Sequence, residues 1–159
     1  MAKKFDTCIT SLNGRTFATF PVAVLGYVID KSGQFLLMRR PTGLKWEIPS
    51  GVLERGEAPL DGIYRELREE LGAEAVVEVL GLVHAVQINF DERINSLISL
   101  GFLVHHKMGG IVPGDDMAGA EFSWLCLEEL LTRADIEVPN DLDHFRTAYN
   151  LYLCRRQQF

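Results

Sequence analysis

A chain of 159 residues with 47% hydrophobic and 24% charged side chains is the size of one globular domain that can bury a core. Its formal charge of −6 at pH 7 argues against a protein that wraps nucleic acid or adheres to anionic membrane. An anionic substrate would therefore need local neutralisation.

The lysines of the N-terminus are followed by polar residues rather than an apolar run, so no secretory signal is expected, and no stretch has the length of a membrane-spanning helix. Cys8, Cys126 and Cys154 are odd in number and far apart, which predicts a reducing, cytoplasmic setting and cysteines buried as small hydrophobes. One domain is expected over residues 1–159.

Taken in chain order, the nearly continuous apolar run from Phe20 to Asp30 predicts a buried strand, Lys31 to Gly33 a turn, and Gln34 to Arg40 the returning strand of a hairpin. Trp46 to Ile48 predicts a short strand, and Pro49-Ser50-Gly51 opens a loop that runs through Arg55 and Gly56. A helix is predicted from about Pro59 to Leu71, with proline suited to its first turn and Gly72 at its stop. Two longer strands follow at about 75–88 and 94–106, then a glycine-rich loop at 107–118 carrying Asp115 and Asp116. A strand at about 121–126, a short helix at 127–133 and a last helix at about 140–155 complete the chain. Leu142, Phe145, Ala148, Tyr149 and Tyr152 recur there at helical spacing and predict packing on the sheet.

The predicted helix at 59–71 carries the chemistry. Leu60, Ile63, Tyr64, Leu67 and Leu71 form one apolar stripe, and Glu66 and Glu70 lie about 40° apart on its flank. Glu69 falls closer to the outward side. A helix built for stability alone would avoid this arrangement, because Glu66 and Glu70 repel at i,i+4 and Glu69 and Glu70 oppose the dipole of the last turn. A divalent cation held between carboxylates is the natural compensation, and an all-oxygen set suits Mg²⁺ or Mn²⁺. Gly62, in mid-helix, either leaves room for metal and phosphate or admits a neighbouring loop.

Gly51, Glu57, Arg65, Glu66, Leu67, Glu69, Glu70 and Gly72 stand at the spacing G-x5-E-x7-R-E-U-x-E-E-x-G. This stretch resembles the Nudix box, and departs from it only where Ala73 replaces a bulky aliphatic; Ala58 stands at the helix cap where such enzymes often have serine or threonine. The resemblance implies an α/β fold, a Nudix-type α/β/α sandwich with a mixed central sheet, and a Mg²⁺- or Mn²⁺-dependent hydrolase cleaving a diphosphate linkage in a small nucleotide. It makes Glu66, Glu69, Glu70 and the Ser50 carbonyl the metal ligands, with Glu66 the candidate base and Asp115, Asp116 and Glu121 late alternatives. Glu57 and Arg65 would form an ion pair that fixes the loop. A homodimer is implied by the same likeness, while the acidic charge leads to an expectation of no nucleic-acid or membrane partner. A Nudix-like domain that binds without turnover is the rival reading.

Arg39 is a candidate for gripping phosphate ahead of Arg40, since strand alternation lets only one of them face the site. Phe90, in the turn from Asn89 to Glu92, is a candidate lip of the pocket. Trp46 and Trp124 are expected in the core. His84, His105, His106 and His144 show no ligand spacing. The chain lacks the proline about fifteen residues past the box that ADP-ribose hydrolases of the resembled family often show, and the tyrosine slightly further on that dinucleoside polyphosphate hydrolases often show.

Overall fold

A computed structural model describes residues 8–89, 96–137 and 141–156. A small hairpin, β1 (Cys8–Thr10) with β2 (Thr16–Ala18), precedes a six-stranded sheet. The sheet holds β3 (Val22–Ile29), β4 (Phe35–Arg39), β5 (Ser50–Val52), β6 (Val76–Ile88), β7 (Leu97–Met108) and β8 (Glu121–Leu125). Three helices flank it: α1 (Pro59–Leu71), the short α2 (Leu127–Thr132) and α3 (Asp143–Arg156). The spatial order is β6-β7-β3-β4-β8, with β3 and β7 parallel and the remaining pairs antiparallel, so the sheet is mixed.

β3 is apolar throughout because both of its faces are covered. Leu25, Tyr27 and Ile29 enter one core with Phe35, Leu37, Leu103 and, from α3, Phe145, Ala148 and Tyr152. Val24 and Val28 enter the other with Leu36, Met38, Val104 and, from α1, Ile63, Leu67 and Leu71. Alternate residues of one strand thus serve helices on opposite faces, which makes the α/β/α sandwich.

β3 divides its remaining edge. Ala23 to Leu25 pair with β5, whereas Ile29 pairs with Phe35 of β4. The segment 46–49 runs between the diverging strands, where Glu47 bridges Met38 and the Gly26 N–H donates to the Pro49 carbonyl at 2.8 Å. Trp46 to Ile48 is therefore not the expected strand; its pairing is confined to isolated bridges, Met38 with Glu47 and Trp46 with Ile136. Proline at 49 has no N–H to extend a ladder, and regular pairing begins one residue later, inside the expected loop.

Two further expectations are corrected. Cys8 and Cys154 are exposed rather than buried, and Cys126 is only partly covered. In α1, Leu60 is 53% exposed and Tyr64 38%, while Gly62, Glu66 and Glu70 are buried beside Ile63, Leu67 and Leu71. The helix is turned so that the glutamates belong to its inward face, not to the flank.

On the α3 side, burial and the neighbouring His144 hold the His84 imidazole well below the usual histidine range, at about 4. His84 stacks on His144, lies 3.1 Å from Ser99 Oγ through Nε2, and lies 3.4 Å from the Tyr27 hydroxyl through Nδ1. The unfolded chain takes up this proton near pH 6.5, so the stability that neutral His84 contributes is present above that pH and lost as pH falls toward 4. The stability gap between the native chain and a His84→Gln variant, measured by urea unfolding, is expected to shrink from about pH 7 to about pH 4.5. A constant gap would contradict a buried neutral imidazole.

Candidate active site

The site begins with β5, which brings Ser50 and Gly51 against α1. The Ser50 N–H donates to Glu70 Oε2 at 3.0 Å. At Gly51 a β-carbon would fall on the Glu66 carboxylate, so only glycine lets the strand lie this close. Gly62 serves the loop in the same way, since a β-carbon there would collide with Leu53 and crowd Glu57. Of the two readings open for Gly62, the loop contact is the one present.

Arg65 ties the loop to the helix. It donates to both oxygens of Glu57, from Nε at 2.8 Å and Nη2 at 3.0 Å; Nη2 also reaches the Val52 carbonyl at 3.3 Å, and Nη1 reaches Glu66 at 2.8 Å and Glu69 at 3.1 Å. The fork geometry of guanidinium makes this possible, where a lysine would offer one point charge. The bond from Arg65, helped by the Glu54 N–H, holds the Glu57 carboxyl down at about 2. The expected Glu57–Arg65 ion pair and the Arg65–Glu69 pair are both present.

Glu66 and Glu70 are the buried acids of α1, 9% and 3% exposed. Burial pushes the Glu70 carboxyl up to about 8 against the opposing bond from Ser50, and the charges of Asp116 and Glu66 add to the rise. Burial raises Glu66 as well, with Arg65 opposing and Glu69 and Asp116 adding. Two carboxylates placed where neither ionises comfortably, coupled to a third, form a donor set that a hard cation would relieve. Among the described residues no three acidic, imidazole or thiol side chains converge on one point. A cation here would therefore complete its shell with backbone oxygen, water and substrate phosphate.

Asp116 reaches this region because the late loop covers the end of α1. Val112 N–H donates to the Leu71 carbonyl at 2.8 Å and Gly114 N–H to the Glu70 carbonyl at 3.3 Å, which satisfies carbonyls the helix leaves open. Buried Met117 anchors the loop, and Asp116 pairs with Arg40 at 2.7 Å. Arg40 also holds Glu47 at 2.6 Å.

Arg40, Ser50, Gly51, Val52 and Asp116 rim a cavity of about 390 Å³ whose wall is Ala23, Leu25, Ile88, Leu97 and Ser99. Arg39 and Glu121 do not line it; they pair with each other across β4 and β8, and Arg39 lies over the Trp46 ring at 4.9 Å. Alternation along the strand does let one arginine face the cavity, and that arginine is Arg40. Trp46 is core, and Trp124 is partly buried against His106. Phe90 lies outside the described residues. Ser99 and Leu25 carried no signal in the sequence, because a small polar residue and a leucine within strand patterns read as ordinary sheet positions.

A NUDIX domain model matches residues 19–146. The chain is 32% identical over 112 residues to a MutT-like protein of Streptomyces ambofaciens, covering 70% of this chain and 68% of that protein. It is 46% identical over 55 residues to an RNA pyrophosphohydrolase of Halorhodospira halophila, covering 34% of this chain and only 30% of that one. A NUDIX-family hydrolase from Clostridium perfringens superposes with a TM-score of 0.67 at 18% identity, over 82% of this chain and 97% of the other, which supports the fold.

The Gly51–Glu66 contact generates a prediction. Gly51→Ala must displace the Glu66 carboxylate, so any hydrolytic kcat/KM should fall about 10²-fold or more, the scale of an ångström-sized misplacement. Thermal melting should change little by comparison, since β5 is short and lies at the sheet margin. Full activity in this variant would show that the Glu66 position is not critical.

Proposed function

The chain belongs to the NUDIX domain family, a family of hydrolases, and from that premise we propose that it uses water and a divalent cation, Mg²⁺ or Mn²⁺, to cleave a diphosphate linkage in a nucleotide-like small molecule. Members of this family generally use divalent metal ions. The observation that carries the reading is the pair of buried acids, Glu66 and Glu70, packed against Gly51 and Ser50, two residues that themselves line the 390 Å³ cavity.

Glu66, Glu70 and the Ser50 carbonyl are the proposed cation ligands. Glu69, engaged by Arg65 and 37% exposed at its side chain, is the weakest member of the set. A cation held by these residues would supply charge neutralisation for the phosphate oxygens and for the displacement. Glu66 takes the proton from the attacking water, with Asp116 as the late-loop alternative because its charge acts on both Glu66 and Glu70. Glu121 is paired with Arg39 and does not line the cavity. Arg40 grips phosphate at the mouth, and the apolar wall of Leu25, Ile88 and Leu97 receives the base. The overlap with the RNA pyrophosphohydrolase covers about a third of each chain, too little to transfer its substrate.

A panel of nucleotide sugars, nucleoside triphosphates, ADP-ribose and dinucleotides, with the nucleotide products separated by anion-exchange chromatography, should reveal a substrate turned over with Mg²⁺ or Mn²⁺ and not in excess EDTA. Full turnover in EDTA would defeat the proposal. Nucleotide binding with metal, seen as a raised Tm, but no hydrolysis of any compound would favour the binding-only reading.

Glu70→Gln keeps the shape of the side chain and can still accept the Ser50 N–H, so its fold should persist with equal or slightly higher Tm. Its kcat/KM should fall steeply, and Glu66→Gln should lose the ~10²–10⁴-fold typical of an absent general base. Near-native activity in folded Glu70→Gln would show that this carboxylate does not hold the cation.

A further inference from the structure

At the other end of the sheet the charge reverses. β5 meets β3 at Ala23 to Leu25, whereas Lys31 follows the end of β3, about 20 Å further along at the usual rise of a strand. There Lys31, Lys107, Arg155 and Arg156 line a cavity of about 280 Å³ with His105, Leu80, Tyr152 and a single carboxylate, Glu78. Glu78 is paired with Lys107 at 2.5 Å, and Lys31, Arg155 and Arg156 have no carboxylate partner shown among the described residues. On a chain whose formal charge is −6, four cations against one acid around one concavity runs opposite to the bulk.

Helix stability accounts for part of this. Arg155 and Arg156 stand in the last turn of α3, where cations favour the dipole. Lys31 and Lys107 come from a turn and a strand end that gain nothing from that dipole, yet they converge on the same hollow. Tyr152 packs its ring into the wall and donates to the Lys31 carbonyl at 3.3 Å, which fixes the turn beside α3. His105 also lines the hollow. Lys31 and Lys107 also border a second hollow of about 400 Å³ lined by Asp30, His106, Met108, Gly109 and Trp124.

We propose that this basic hollow is a binding site for the oligophosphate of a compact anion, a di- or triphosphate, separate from the carboxylate site. Arginine forks match phosphate oxygens in pairs and lysines supply point charges, so three to four negative charges are matched within one cavity. The volume fits a short phosphate chain rather than a drug-sized ligand. The oligophosphate is either inorganic or the tail of a nucleotide whose base lies over Trp124 in the adjoining hollow.

The test is isothermal titration of the whole chain with inorganic tripolyphosphate in EDTA, where the carboxylate site carries no cation to attract an anion. Saturable binding is expected, and Lys31→Gln and Arg156→Gln should each raise Kd about tenfold, whereas Arg68→Gln, an equal charge change on α1, should leave it within about twofold. Failure to saturate below about 1 mM, or equal weakening by all three variants, would overturn the site in favour of diffuse charge attraction. Repeating the titration with a nucleoside triphosphate distinguishes the source. Tighter binding with a change in tryptophan fluorescence that Trp124→Leu removes identifies a nucleotide tail; equal affinity without it identifies inorganic oligophosphate. Because no metal and no turnover are involved, failure here leaves the proposed hydrolysis untouched, and loss of hydrolysis leaves this site standing.

Discussion

The burial of two like charges on one helix face is the constraint to which the rest of the molecule answers. Glu66 and Glu70 sit among Ile63, Leu67 and Leu71, where a helix shaped only by packing would place leucine or alanine. Burial raises both carboxyls above their ordinary range, with the charges of Glu69 and Asp116 adding at Glu66 and those of Asp116 and Glu66 adding at Glu70. Such a helix survives because its neighbours supply compensation: Ser50 donates to Glu70, Arg65 to Glu66, and the late loop caps the carbonyls behind them. Each of these groups is also held by something else, so the acids are fixed as well as tolerated.

The sheet makes that arrangement possible through the way β3 shares its edge. Were β4 to pair with β3 along its whole length, no strand could lie beside Ala23 to Leu25, and Ser50 and Gly51 could not reach α1. The 46–49 segment wedges the strands apart, and Pro49 ends its own pairing. The opening that results is bounded by Arg40 just past the end of β4, Asp116 from the late loop and Ser99 from β7, three segments distant in sequence.

What could be read from the sequence follows from how local each signal is. The helix at 59–71, its glutamates and the Glu57–Arg65 pair are encoded within one short stretch, and helix geometry alone puts the acids together. Which way that helix faces was not legible, because Leu60 and Tyr64 completed a convincing apolar stripe; only the approach of Gly51 and Leu53 explains why Gly62, Glu66 and Glu70 turn inward instead. Arg39 and Arg40 show the same limit. Alternation separates them onto two faces, but the choice between faces depends on Trp46, which draws Arg39 onto its ring, and on Asp116, which draws Arg40 to the rim. Both partners come from outside the strand, beyond the reach of any periodicity.

The ends of the sheet now stand in electrostatic contrast, and the contrast has a structural origin. β3 and β7 run parallel, so their starts converge at the cavity beside the acids and their ends converge at Lys31, His105 and Lys107. A parallel pair gives each end of the sheet loops of one kind, as it does in open α/β sheets whose sites cluster at one edge. Glu66 and Glu70 repel an anion unless a cation intervenes; Lys31, Arg155 and Arg156 attract it unaided. With about 20 Å between them, more than a Debye length at physiological salt, the two fields act on a phosphate almost independently. The net charge of −6 therefore describes neither end, and an argument about partners from net charge alone averages over two surfaces with opposite preferences.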